Sequence, residues 1–181
     1  MTAGLIRLSG AHNDMKNVSR KGFTLIELLI VMIIMGILAA IGIQAFMASQ
    51  IKGRDTARKG NLKAIAQALE LYYNDKGAYP RDDGSGGMKG CWTIGGVTPA
   101  VCAKNQVWED ANGTIYMAQF PGDPNAGQRY WYVSTNGKQY QLYGRLENSQ
   151  DPQIITVSTS GTCSPSGLAC NWGVSSGNVG L

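Results

Sequence analysis

From Phe23 to Ile43 the chain is apolar on every helical face, and Glu27 is the one charged residue in that run. A helix of about 21 residues at 1.5 Å rise is roughly 31 Å long, the thickness of a bilayer's hydrocarbon core. Beyond Ala48 the pattern changes. Leu62, Ile65, Ala66, Leu69, Tyr72 and Tyr73 recur at steps of three and four, with Lys59, Lys63, Gln67 and Glu70 between them, which predicts an amphipathic helix packed on a domain. The composition favours helix throughout, no proline interrupts it before Pro80, and Gly77 followed by Pro80 is a stop signal. The expected organisation is thus an apolar segment over 23–43, its amphipathic continuation over 44–77, and a separate domain over 78–181. Gly36, Gly42, Gly53 and Gly60 each weaken a helix by up to about 1 kcal/mol relative to alanine, so bending or melting is expected at these points.

After Pro80 a polar connector, Asp82 to Gly87, leads into a turn-rich stretch ending near Asn112. Arg129–Val133 and Gln139–Tyr143 flank Asn136-Gly137, and Asn-Gly between such runs predicts an antiparallel hairpin. Gln153–Val157 is the expected third strand, and 114–120 is a weaker candidate. From Ser158 onward serine, glycine and threonine predominate, which predicts loop. The fold class is α+β.

The net charge of +4 is modest, and Arg7, Lys16, Arg20 and Lys21 precede the apolar run against Asp14 alone. That bias is a topology signal, keeping the basic end in the cytoplasm and placing everything after Ile43 outside; it is not a nucleic-acid footprint. Residues 1–22 read as a processing segment outside the fold. All four cysteines, Cys91, Cys102, Cys163 and Cys170, lie on the outward side, where disulfides persist. Local pairing, Cys91 with Cys102 and Cys163 with Cys170, is preferred among three connectivities; zinc is the rival, without knuckle spacing or a nearby histidine. The only histidine, His12, lies in the processing segment, which leaves the mature chain no Ser-His-Asp or Cys-His mechanism. Gly84 to Gly90 lacks the Lys-Ser/Thr ending of a phosphate loop. No enzyme is expected.

The junction Arg20-Lys21-Gly22-Phe23-Thr24-Leu25-Ile26-Glu27 resembles the cleavage and methylation signature of type IV prepilins and type II secretion pseudopilins. The resemblance implies removal of a leader after Gly22 by a membrane aspartyl prepilin peptidase, then N-methylation of Phe23. It implies a type IV pilin-like fold: a long N-terminal helix packed on a small antiparallel sheet with disulfide-stapled loops. A carboxylate within an apolar span costs on the order of 3 kcal/mol on insertion scales. By resemblance, Glu27 pairs with the amino terminus of a neighbouring copy during assembly, and Thr24 helps orient that terminus. An ordinary signal anchor, with Glu27 snorkelling to the interface, is one alternative. A cleaved secretory signal is another, but the apolar run is too long for an h-region, and Ala45-Phe46-Met47-Ala48 is not a small-residue cleavage site. Many family members carry proline after the Ala-Ile that follows the apolar core; here Gly42 follows Ala40-Ile41 and supplies the expected flexibility.

Phe120-Pro121-Gly122-Asp123-Pro124 before Tyr130-Trp131-Tyr132 resembles the segment preceding the hairpin in major pseudopilins. The residues read first as a turn capped by Asp123. Because some pseudopilins bind calcium here, the resemblance also implies an oxygen-ligand alternative using Asp123 with Asp82 or Asp83; no other cofactor is expected. The function implied is a structural subunit. It waits in the inner membrane as a single-pass precursor and is assembled by an ATPase and platform into a periplasmic or cell-surface filament of many copies. The second expectation is a membrane-anchored minor tip pilin or binding protein for adhesion or DNA capture.

Overall fold

The computed structural model describes residues 22–92, 98–157, 161–164, 166–177 and 180–181. Residues 1–21, the greater part of the expected leader, lie outside them. A single helix, α1 (Leu25–Lys76), contributes to two compact units, one ending at Ile43 and one from Gln44 to Leu181. The helix is uninterrupted at Gly36, Gly42, Gly53 and Gly60, so the expected melting is not seen. It ends as the sequence predicts. Gly77 takes φ 72° and its N–H donates to the Tyr73 carbonyl at 2.8 Å, the left-handed closure that glycine adopts without steric cost.

In the C-terminal unit, Leu62, Ile65, Ala68 and Leu69 of α1 form one side of the core. Facing them are short strands: β1 (Lys89–Cys91), β2 (Ala100–Val101), β3 (Trp108–Glu109), β4 (Ile115–Met117), β5 (Trp131–Val133), β6 (Gln141–Gly144) and β7 (Trp172–Ser175). They pair antiparallel as β1-β2, β3-β4 and β5-β6-β7. The stretch expected to be turn-rich thus contains three strands. Trp108 is fully buried in the core, stacked 5.6 Å from Tyr72 of the helix.

The predicted hairpin forms, with Trp131 opposite Tyr143 and Val133 opposite Gln141. Its loop, residues 134–140, is longer than a two-residue turn and is held by groups outside the hairpin. The Tyr79 N–H donates to the Gly137 carbonyl at 2.7 Å, and the Ser134 N–H donates to Asp82 Oδ2 at 2.7 Å.

The third strand is not Gln153–Val157 but Trp172–Ser175, inside the stretch expected to be loop. Asp151 explains the first part. Its carboxylate pairs with Lys59 of α1 at 2.7 Å while Oδ1 accepts the Gln153 N–H at 3.0 Å, closing a turn where a strand would begin. Gly173 explains the second. A Cβ there would lie 2.7 Å from the Leu142 carbonyl oxygen, so close approach of β7 to β6 requires a residue with low strand propensity. Both cysteine pairs are bonded locally, Cys91–Cys102 and Cys163–Cys170.

Candidate assembly site

The start of α1 is a capping box. Thr24 precedes the first helical residue, its Oγ1 accepts the Glu27 N–H at 3.2 Å, and its own N–H and Oγ1 each donate to Glu27 Oε2 at 2.8 Å. The sequence reading brought Thr24 and Glu27 together through a neighbour's terminus; the structure also joins them within one chain. Glu27 suits the third helical position for a second reason, since a negative charge near a helix N-terminus is favoured by the macrodipole. Gly22 and Phe23 lie in open space ahead of the cap: nothing approaches a Cβ built on Gly22 within 4 Å, and Phe23 is 89% exposed.

From Leu25 to Met47 every large apolar side chain of α1 is exposed, and the helix is long and apolar enough to cross a membrane. An apolar surface open on all sides requires lipid or other copies as its cover. Glu27 is the one ionisable group in that surface up to Ile43.

The helix turns charged at Arg54, and here the structure reveals a feature the sequence reading missed. The Arg58 guanidinium is wholly buried and meets three carboxylates. Nη1 donates to Asp55 Oδ1 at 2.6 Å, Nε to Asp123 Oδ2 at 2.7 Å, Nη2 to Asp123 Oδ1 at 2.9 Å, and Nη2 also to Glu147 Oε1. Arg54 Nη2 adds a second cation at Glu147, 2.5 Å away. Asp55 in turn accepts the N–H groups of Glu147 and Asn148, each at 2.9 Å. The cluster thus pins two loops to the helix. A signal was present: Asp55 and Arg58 lie in phase with Leu62, Ile65 and Leu69, the buried stripe.

Hydrogen bonds from Arg54, then from Arg58, hold the Glu147 carboxyl down at about 2 against the opposing effect of its desolvation. Burial disfavours the Arg58 charge, but its bonds to Asp123 and Glu147 outweigh burial and raise its pKa. At the helix C-terminus Asp110 is likewise lowered to about 2, first by the hydrogen bond from Lys76 at 2.5 Å and then by the N–H groups of Thr114 and Asn112.

The three aspartates named for the oxygen-ligand alternative are each engaged by hydrogen-bond donors. Asp123 gives both oxygens to Arg58 and caps its turn through the Asn125 N–H at 2.7 Å. Asp82 and Asp83 instead close the 82–87 loop by accepting the N–H groups of Gly84 and Ser85. Among the described residues no group of three or more acidic, histidine or cysteine side chains is placed to hold a metal.

A family profile described as the prokaryotic N-terminal methylation motif matches residues 18–43, which contain the cap and most of the apolar helix. The type IV wide pilus major component PilA4 of Thermus thermophilus is 30% identical over 136 residues, covering 74% of this chain and 95% of that protein. The chain belongs to the type IV pilin and pseudopilin family. Other pilin-family matches are stronger but shorter. The type II secretion system core protein G of Pseudomonas aeruginosa is 44% identical over 66 residues, 36% of this chain and 46% of that protein. The type IV major pilin protein PilA of Myxococcus xanthus is 44% identical over 63 residues, 35% of this chain and 29% of that one. The chain therefore matches less than half the length of either of these two. No solved structure matches. The pilin architecture expected from the sequence, one long N-terminal apolar helix with small antiparallel sheets and two disulfides, is the one observed.

Proposed function

We propose that the chain is a structural, non-catalytic subunit of a pilus-like or secretion pseudopilus filament built from many copies of itself. It begins as a single-pass precursor in the inner membrane. The observation that carries this reading is the uncovered apolar helix with one carboxylate at its start. Such a helix is stable in lipid or among like helices and nowhere else, and exchanging one apolar surrounding for the other permits extraction into a filament.

Cutting after Gly22 creates an ammonium group on Phe23, which N-methylation leaves charged. Both Thr24 donors lie on Glu27 Oε2, which leaves Oε1 for that cation on a neighbouring copy. Two charges costly to bury alone neutralise each other only when copies stack in register. The peptidase, ATPase and platform act on the chain from outside. The test is Glu27→Ala in the native host: filaments are lost while the cleaved chain stays in the membrane. Normal filaments from that variant contradict the mechanism. Retained adhesion or DNA capture without filaments would favour the anchored-binder alternative.

A further inference from the structure

The C-terminal unit contains a cavity of about 340 Å³ between the 86–88 segment, the 120–123 turn and β5-β6. Its floor is core: Met88, Phe120, Tyr132 and Leu142 are each less than a tenth exposed. Its rim carries two cations, Lys104 and Arg129. Each uses one donor on a backbone carbonyl, Lys104 Nζ to Asp123 at 3.3 Å and Arg129 Nε to Thr162 at 3.1 Å, and the Arg129 guanidinium also stacks 4.8 Å from the Trp131 ring centroid, leaving further N–H groups on both. The one carboxylate in the lining, Asp123, is neutralised by Arg58. Gln128 also lines the cavity; its Oε1, shielded from solvent without a donor, is an acceptor, so only the Nε2 end of that amide, after a flip, would serve an anion.

Apolar walls with a few converging polar groups are the usual composition of a small-molecule site, and the volume lies at the lower end of the usual range. We propose that this cavity binds a small organic anion with an apolar body, an aromatic or branched aliphatic carboxylate. The hydrocarbon part takes the floor and the carboxylate meets Lys104 and Arg129. This proposal rests on the C-terminal unit alone and stands apart from the filament reading.

The test uses the detergent-solubilised full chain, methyl-labelled at methionine, titrated with phenylacetate and with its neutral isostere phenylacetamide. Met88 reports the cavity, while Met32, Met35 and Met47 on the exposed helix report partition of the probe into the micelle. Phenylacetate is expected to shift Met88 saturably with a dissociation constant below about 1 mM, and phenylacetamide to bind about tenfold more weakly. Replacing Lys104 and Arg129 together by glutamine should remove that tenfold difference while leaving amide binding within about twofold. Ala126→Trp, at an exposed rim position, should abolish the Met88 response to both. Three results overturn the proposal: Met88 unmoved at about 20 mM phenylacetate, equal binding of acid and amide to the native chain, or a Met88 shift produced by filament assembly alone, which would make a second copy the occupant.

Discussion

Replacing Arg58 by methionine removes the charge and keeps most of the side-chain volume. In the native unit Arg58 is 0% exposed, and so is the Asp123 side chain it binds through two hydrogen bonds. The substitution leaves Asp123 buried without a counter-charge and deprives Asp55 and Glu147 of a partner. Breaking a buried ion pair from one side costs about 3–5 kcal/mol. The lower part of that range applies, because Asp55 keeps the N–H groups of Glu147 and Asn148 and Glu147 keeps Arg54. For a domain of this size the loss is about 6–16 °C in melting temperature.

The pH dependence separates this explanation from simple loss of packing. In the native chain Glu147 is lowered from 4.5 to about 2, so it contributes stability that is complete above 4.5 and disappears as pH falls through about 2. In Arg58→Met the Glu147 carboxyl keeps Arg54 but loses the hydrogen bond from Arg58, so its folded pKa is held down less and a smaller contribution remains to be lost in acid. The gap between native and variant chains should therefore narrow as pH falls from about 4.5 to about 2. Tryptophan fluorescence melting of the full chain in detergent, followed through the buried Trp108 and Trp172, measures both quantities. A deficit under about 1 kcal/mol, or one that does not change with pH, refutes the assignment of Arg58 as the hub.

Further outcomes follow from the same geometry. Gly86→Ala places a Cβ 2.3 Å from the Trp131 ring at φ 84°, whereas Gly84→Ala meets nothing at φ 78°; both incur the left-handed penalty of about 1 kcal/mol, and only Gly86→Ala should add about 1–3 kcal/mol of overpacking in the same melting assay. Paired replacement of Cys163 and Cys170 by serine should lower stability by about 2–3 kcal/mol, and reductant should then destabilise the variant less than the native chain. Lys76→Met removes the cation on Asp110; nuclear magnetic resonance titration of that carboxyl should show its pKa rise from about 2 toward 3.8, while the backbone bonds from Asn112 and Thr114 keep it below the model-peptide value.

Much of this architecture is legible in the chain because it is locally encoded. Helical composition, the apolar-to-amphipathic change near Ala48 and the Gly77-Pro80 stop mark α1, and each acts within a few residues of itself. The cysteine pairs are eleven and seven residues apart, so local pairing also follows from short range. What escaped depends on distant partners. Trp172–Ser175 became a strand because Gly173 fits under Leu142, and a glycine carries no strand signal of its own. Arg58 looks like one more solvated helix cation until Asp123 and Glu147, 65 and 89 residues away, are brought to it. Asp123 was singled out as a turn residue, and it caps that turn, but its pairing with an arginine of the helix was not foreseen. At the N-terminus Thr24 and Glu27 were picked out within the junction motif, and the capping box gives them a role within the single chain that the motif did not announce.

The processing claim has one direct test, the mass of the amino-terminal peptide of the chain recovered from filaments of the native host. The account predicts a peptide that begins at Phe23 and carries one added methyl on its amino group. A peptide that begins elsewhere, or an intact segment before Gly22 in the assembled filament, contradicts it.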